Sequence, residues 1–145
     1  MIPAPSITIN AHQQAQLLQS TPSKKYQVIL LLMLDCGLRV SEVIQLQSKH
    51  ILFAENKIKI VSNTKSREIP LTQRLLKSLA DYWQHLPSTN PEDYIFPAGK
   101  NSKTAHLGRK QIWKKLNQLS KGTINPTLLR NTFAQRIIQE NEVSV

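Results

Sequence analysis

The sequence predicts an α+β protein, mostly helical, with a small three-stranded antiparallel sheet placed after the second or third helix. Three observations predict it. From Val28 to Leu34 the chain is apolar without interruption. That run is far short of the ~20 residues a bilayer span needs, so it reads as a buried central helix. Between Ile51 and Pro70 apolar and polar residues alternate, with turn-forming residues between the runs, as in short strands. Beyond Pro70 helical spacing returns, with Leu75, Leu76, Leu79, Tyr82 and Trp83 on one broad face.

Taken in order, residues 1 to 9 carry polar and proline breakers and read as a loose terminus. Asn10 caps a helix to about Gln19, which Ser20-Thr21-Pro22-Ser23 ends. Ser23 caps the central helix, about Lys24 to Cys36, and Gly37 stops it. Ser41 to Leu46 reads as a short helix. In the sheet, Ile51 and Phe53, then Ile58 and Ile60, form the apolar sides. Ser62-Asn63-Thr64 is the turn, and Pro70 ends the last strand or puts it at an edge. Thr72 caps a helix to about His85. Pro87 to Pro91 is a loop, Tyr94 to Pro97 a short extended piece, and Gly99 to Thr104 a second loop exposing Lys100 and Lys103. A helix over about Ala105 to Leu119 turns Leu107, Ile112, Leu116 and Leu119 inward and Arg109, Lys110, Lys114 and Lys115 outward. The last helix, about Thr127 to Gln139, carries Arg130 in its first turn.

With 145 residues the chain has room for one domain, 1–145, burying roughly two-thirds of its unfolded surface. A 40% hydrophobic share excludes a disordered chain, and the start has no basic region leading into an apolar one, so no signal peptide is expected. The single cysteine, Cys36, reads as a small core residue and excludes a disulfide within the chain, in keeping with the cytoplasm. Nineteen Lys and Arg against nine Asp and Glu give +10, which favours a polyanionic partner, above all nucleic acid. No long amphipathic helix combines basic and aromatic faces, so no membrane partner is expected. His12, His50, His85 and His106 lack metal-ligand spacing, and there is no phosphate-binding glycine loop or acidic cluster; no metal or cofactor is expected.

One arginine stands where burial makes charge expensive, and a second, far along the chain, matches it. Arg39, in Gly37-Leu38-Arg39-Val40-Ser41-Glu42, follows the apolar run directly, and Glu42 three residues on is placed to hold its side chain. Arg130 lies in Asn125-Pro126-Thr127-Leu128-Leu129-Arg130-Asn131-Thr132-Phe133-Ala134. Between them runs Thr64-Lys65-Ser66-Arg67-Glu68-Ile69-Pro70-Leu71. In this order the three stretches resemble the catalytic domain of the tyrosine recombinases, the phage-integrase family, over about Ser23 to Glu140.

The resemblance implies that family's helical catalytic domain and its metal-free cleavage of a phosphodiester. Arg39 and Arg130 would neutralise the growing charge on one phosphate from two sides, a task suited to the planar guanidinium fork. Lys65 on the hairpin would protonate the leaving 5′ oxygen, with Lys57 and Lys59 as fallback candidates on the outer face of the strand. Glu42 would support Arg39, Thr127 and Asn131 would hydrogen-bond the phosphate, and Arg67, Arg109, Lys110, Lys114 and Lys115 would contact DNA. The partners implied are double-stranded DNA and further recombinase subunits, with no small-molecule substrate, in the cytoplasm and on the nucleoid if the source is bacterial.

The sequence also departs from the family. Thr127 and Asn131 stand where it has histidines, and neither takes a proton near neutral pH. The family's nucleophilic tyrosine follows the second arginine motif, whereas Tyr26, Tyr82 and Tyr94 all precede Arg130. The expectation is a catalytic domain truncated before its tyrosine, without the amino-terminal DNA-clamping domain, and inactive alone. The alternatives are a tyrosine donated by a second subunit, a non-enzymatic DNA-binding module occupying recombination sites, or an unrelated basic helical protein that binds RNA or a protein.

Overall fold

The computed structural model describes residues 8–61, 65–99 and 105–143. The expectations for residues 1–7 of the loose terminus, the turn at 62–64 and most of the loop at 99–104 fall outside them. Ile9, expected in that loose terminus, is instead buried in the core with its N–H bonded to Thr132 Oγ1. Asn10 caps α1 (Ala11–Gln19), its side chain accepting from Gln13 N–H while Gln13 reaches back to the Asn10 N–H. Ser23 caps α2 (Lys24–Cys36), and Gly37 closes it in the left-handed region at φ +67°. Both helices run as the sequence predicts.

Helix α2 is buried from Val28 through Cys36 and forms the axis of the core. Against it pack α3 (Val40–Ile44), α4 (Gln73–Trp83) and α6 (Pro126–Val143). α4 turns Leu75, Leu79 and Tyr82 inward, and Tyr82 donates its hydroxyl to the Ile95 carbonyl at 2.5 Å.

The sheet follows α3: β1 (Ile51–Leu52), β2 (Lys57–Val61) and β3 (Ser66–Pro70), in the order β1-β2-β3. Both pairings are antiparallel, with Ile51 opposite Ile58 and Lys57 opposite Pro70. On β2 the pleat buries Ile58 and Ile60 and leaves Lys57, Lys59 and Val61 on the open face. Pro70 ends the edge strand, where the absent N–H costs no ladder bond.

The structure corrects three boundaries. Phe53 leaves the strand for a 3₁₀ turn, Phe53–Glu55, where its ring meets the Trp83 ring edge-on at 5.0 Å. The helix expected from Ala105 begins later, as α5 (Arg109–Ser120). Residues before it pair as extended backbone instead, Ala98 N–H to Ala105 O at 3.0 Å and Leu107 N–H to Phe96 O at 2.8 Å. Leu107 is therefore buried by strand pairing, not from a helix. The last helix starts one residue early, at Pro126, whose missing N–H is harmless there, with Asn125 accepting from Leu128 N–H at 3.0 Å. Arg130 thus falls in its second turn.

Candidate nucleic-acid interface

The site is built around the turn after α2. Gly37 has no side chain, and a Cβ there would run into the ring of Phe133 from α6. Only glycine satisfies both this contact and the positive φ. Arg39 lies two residues beyond Gly37, and Arg130 lies one turn before Phe133 on the same face of α6. Packing of Phe133 on Gly37 therefore sets the two arginine-bearing segments side by side. Arg39 is exposed. Arg130 is half-buried, and its Nε is buried without a hydrogen-bond acceptor among the described residues.

The expected Arg39–Glu42 side-chain grip is replaced by a different pairing. Arg39 is the N-cap of α3, in extended backbone, so it does not share the helical face of Glu42. The Glu42 carboxylate instead accepts the Arg39 backbone N–H at 2.9 Å and both amino groups of Arg67, at 2.8 and 3.2 Å. Burial pushes the Glu42 carboxyl up, but the Arg67 and Arg39 hydrogen bonds and the two guanidinium charges prevail and hold it below the ordinary range. Arg67 is thus spent on an ion pair that ties β3 to the start of α3.

A cleft of about 270 Å³ opens beside Arg39, lined among others by Ser41, Glu42, Gln45, His50 and Lys59. Lys65 is exposed immediately before β3. On β2, Lys57 pairs with Glu68 at 3.2 Å, whereas Lys59 lines the cleft. On α5, which packs against α3, Arg109, Lys110 and Lys114 are exposed, together with Trp113. Lys115 departs from them: its Nζ lies 5.5 Å from the Tyr26 ring centroid, across the protein's own surface. Thr127 is exposed and Asn131 half-buried on α6.

The sequence reading missed the group that holds this arrangement. Asp35, its side chain fully buried, accepts from Thr72 Oγ1 at 2.5 Å and from Arg74 Nε and amino nitrogen at 2.9 and 2.5 Å. Arg136 of α6 donates to the Asp35 carbonyl at 3.1 Å and lies 3.5 Å from its carboxylate. One carboxylate thus joins α2, the start of α4 and α6, next to the Gly37 turn. Burial raises the Asp35 carboxyl, but bonds from Arg74 and Thr72 and the charges of Arg74 and Arg136 bring it below its ordinary value. The available signal was the lone acid at the end of an apolar run. Thr132 supplies a second tie, accepting Ile9 N–H at 2.9 Å and donating to Leu128 O at 2.7 Å.

Neighbouring groups are inert. Burial pushes the Cys36 thiol up to about 12, aided by Asp35, so it is not a nucleophile at neutral pH. Among the described residues no group of His, Cys, Asp and Glu is arranged to hold a metal, and no helix is long and apolar enough to cross a membrane.

A helical body centred on α2, a three-stranded antiparallel sheet and the Arg39 and Arg130 segments held together by Gly37 and Phe133 make up the fold. The chain belongs to the phage integrase family, which matches residues 8–144. It is 31% identical over 140 residues to a tyrosine recombinase of Pseudothermotoga lettingae, covering 94% of this chain and 48% of that protein. A crystal structure of XerA recombinase superposes with a TM-score of 0.83 at 19% identity, over 97% of this chain and 52% of the other. The Tn1549 transposon integrase in complex with transposon right end DNA gives 0.70 at 18% identity, over 95% and 55%. The chain thus spans about half the length of the relatives it matches.

Proposed function

We propose that these residues are the phosphate-gripping part of the catalytic domain of a site-specific tyrosine recombinase, acting on double-stranded DNA. The observation that carries this is the Phe133–Gly37 packing, which joins the two arginine turns. Arg39 and Arg130 neutralise the non-bridging oxygens of one phosphate, replacing a metal. Arg130 Nε is buried with its donor unsatisfied among the described residues, which supports a role in holding an anion. Lys65 protonates the leaving 5′ oxygen, and exposed Arg109, Lys110 and Lys114 contact flanking DNA. Thr127 and Asn131 add hydrogen bonds to the phosphate, and Glu42 acts indirectly, through the Arg39 backbone and Arg67. The complete reaction passes through a 3′-phosphotyrosyl link between a tyrosine and the cut DNA strand, with the 5′ hydroxyl released, carried out by subunits assembled on DNA in the cytoplasm.

The tyrosine for that link is not Tyr26, Tyr82 or Tyr94. Tyr82 is buried and donates to Ile95 O, and burial raises its hydroxyl pKa. Tyr26 is buried against Lys25 and Lys115. Tyr94 stacks edge-on with His106, centroids 5.1 Å apart. The 145 residues as one domain therefore hold DNA without cutting it, and cleavage takes a tyrosine from outside them.

The test is binding of a labelled duplex, with a nicked substrate that traps covalent adducts. Wild type is expected to bind without forming an adduct, and Arg39→Ala and Arg130→Ala each to weaken binding about tenfold or more while melting as wild type. Wild-type affinity in both variants would remove the assignment. A second reading, a non-enzymatic module on recombination sites, is favoured by Thr127 and Asn131, which cannot shuttle protons. It expects no cleavage even after a tyrosine-bearing segment is added in trans.

A further inference from the structure

The Arg39 cleft does not end at Arg39. A second hollow of about 660 Å³ adjoins it, and Gln45, His50, Lys59 and Val61 line both. The far hollow is bordered by Lys49, Tyr94 and His106. Together they form a continuous groove across the open face of β2. Its acids are already neutralised: Glu42 by Arg67, and Glu92 near its rim by Lys49 at 2.9 Å. Lys59 has no carboxylate within ion-pair distance among the described residues, although Lys57, one pleat away on the same face, is paired with Glu68.

His50 adds a donor of fixed form. Its Nδ1 accepts the Gln47 backbone N–H at 3.0 Å, so the neutral ring carries its proton on Nε2. A proton on Nδ1 would face that N–H. Burial, with Lys49 and Lys59 nearby, lowers the His50 pKa against the opposing effect of Glu92. The ring therefore stays neutral at pH 7 and offers Nε2–H as a donor. His106 is fixed in the opposite sense, Nδ1–H donating to Leu107 O at 2.8 Å, which leaves Nε2 as acceptor.

We propose that Lys59 and His50 form a second phosphate subsite, holding the DNA backbone phosphate next to the one gripped by Arg39. Lys59 supplies the charge and His50 a neutral hydrogen bond, so the groove guides one strand across β2 into the arginine pocket. This rests on the DNA-binding reading above. It assigns Lys59 a place on the substrate and leaves the proton transfer to Lys65.

The test is the affinity of the 145-residue protein for a 30-base-pair duplex of random sequence, measured across salt concentrations. Lys59→Gln is expected to weaken binding about tenfold and to reduce the slope of log K against log salt by about 1, the signature of one lost phosphate contact. Lys59→Arg should retain both affinity and slope. His50→Asn, whose side-chain oxygen can still accept the Gln47 N–H, should weaken binding several-fold with the slope unchanged, because a neutral donor releases no counterion. Lys77→Gln, an exposed lysine on α4 away from the groove, is the control and should match wild type. If Lys59→Gln behaves as Lys77→Gln does while Arg39→Ala and Arg130→Ala lose affinity, the subsite is wrong and the grip stands. If the arginine variants also bind as wild type, the DNA-binding reading falls with it.

Discussion

Asp35 decides more than any other single side chain, because it is buried and carries charge in the core. Such a carboxylate persists only while its donors are in place. Arg74→Ala removes two of them, and we predict a loss of about 3 kcal/mol in chemical denaturation. The folded pKa of Asp35 is depressed, so its contribution is complete above the unfolded value of about 4 and is lost as pH falls through the folded value. Arg74→Ala should therefore move acid unfolding to higher pH. An unchanged acid midpoint would show that Asp35 is not held as described. His50 acts at milder pH: its native pKa is also lowered, so the unfolded chain binds the extra proton first. Stability is complete above about 6.5 and declines below it, a step that His50→Asn should abolish in melts between pH 5 and 7. Gly37→Ala forces a side chain into the Phe133 ring at a positive φ. It should cost about 1–3 kcal/mol and weaken DNA binding as well, because the Arg130 helix must shift. A variant with wild-type stability would mean that the α6 contact is slack.

Among the elements, helices were more legible than the contacts between them. Capping residues and apolar spacing are local signals, and Asn10, Ser23, Gly37 and Thr72 all stand at the ends they predict. The start of α5 was missed because pairing of residues 105–107 with 96–98 is a tertiary event that competes with helical spacing. Arg67 read as a DNA contact because its ion pair with Glu42, 25 residues away, is invisible to local pattern. The same holds for Asp35, whose partners come from two later helices. Lys59 was visible as an outward strand residue and a fallback proton donor, and the hollows beside it, lined by residues of several elements, have no local signal. The Arg67–Glu42 pair fixes β3 relative to the Arg39 turn, and its value is positional because Arg67 is half-exposed. Arg67→Ala is predicted to cost under about 1 kcal/mol. It should nonetheless speed amide exchange in Ser66–Pro70 while leaving α2 protected. Equal protection of β3 in the variant would show that the hairpin is held by its ladder alone.

At the scale of the whole molecule the charge imbalance ties stability to binding. With +10 at neutral pH the chain repels itself, and as its nine Asp and Glu protonate in acid only positive charge remains. A polyanion that binds the native surface relieves that repulsion and stabilises by mass action, about 2.7 kcal/mol at a hundred times its Kd. For a domain of this size that is a rise in Tm of roughly 8 °C. Duplex DNA at 50 mM salt should produce such a rise, and 500 mM salt should remove it, since screening and counterion competition act on the same contacts. Arg39→Ala and Lys59→Gln should each diminish the rise without lowering the Tm of the free protein, because both side chains are exposed and neither is paired in the core. A rise that survived high salt, or that both variants retained in full, would place the DNA on some other face of the molecule.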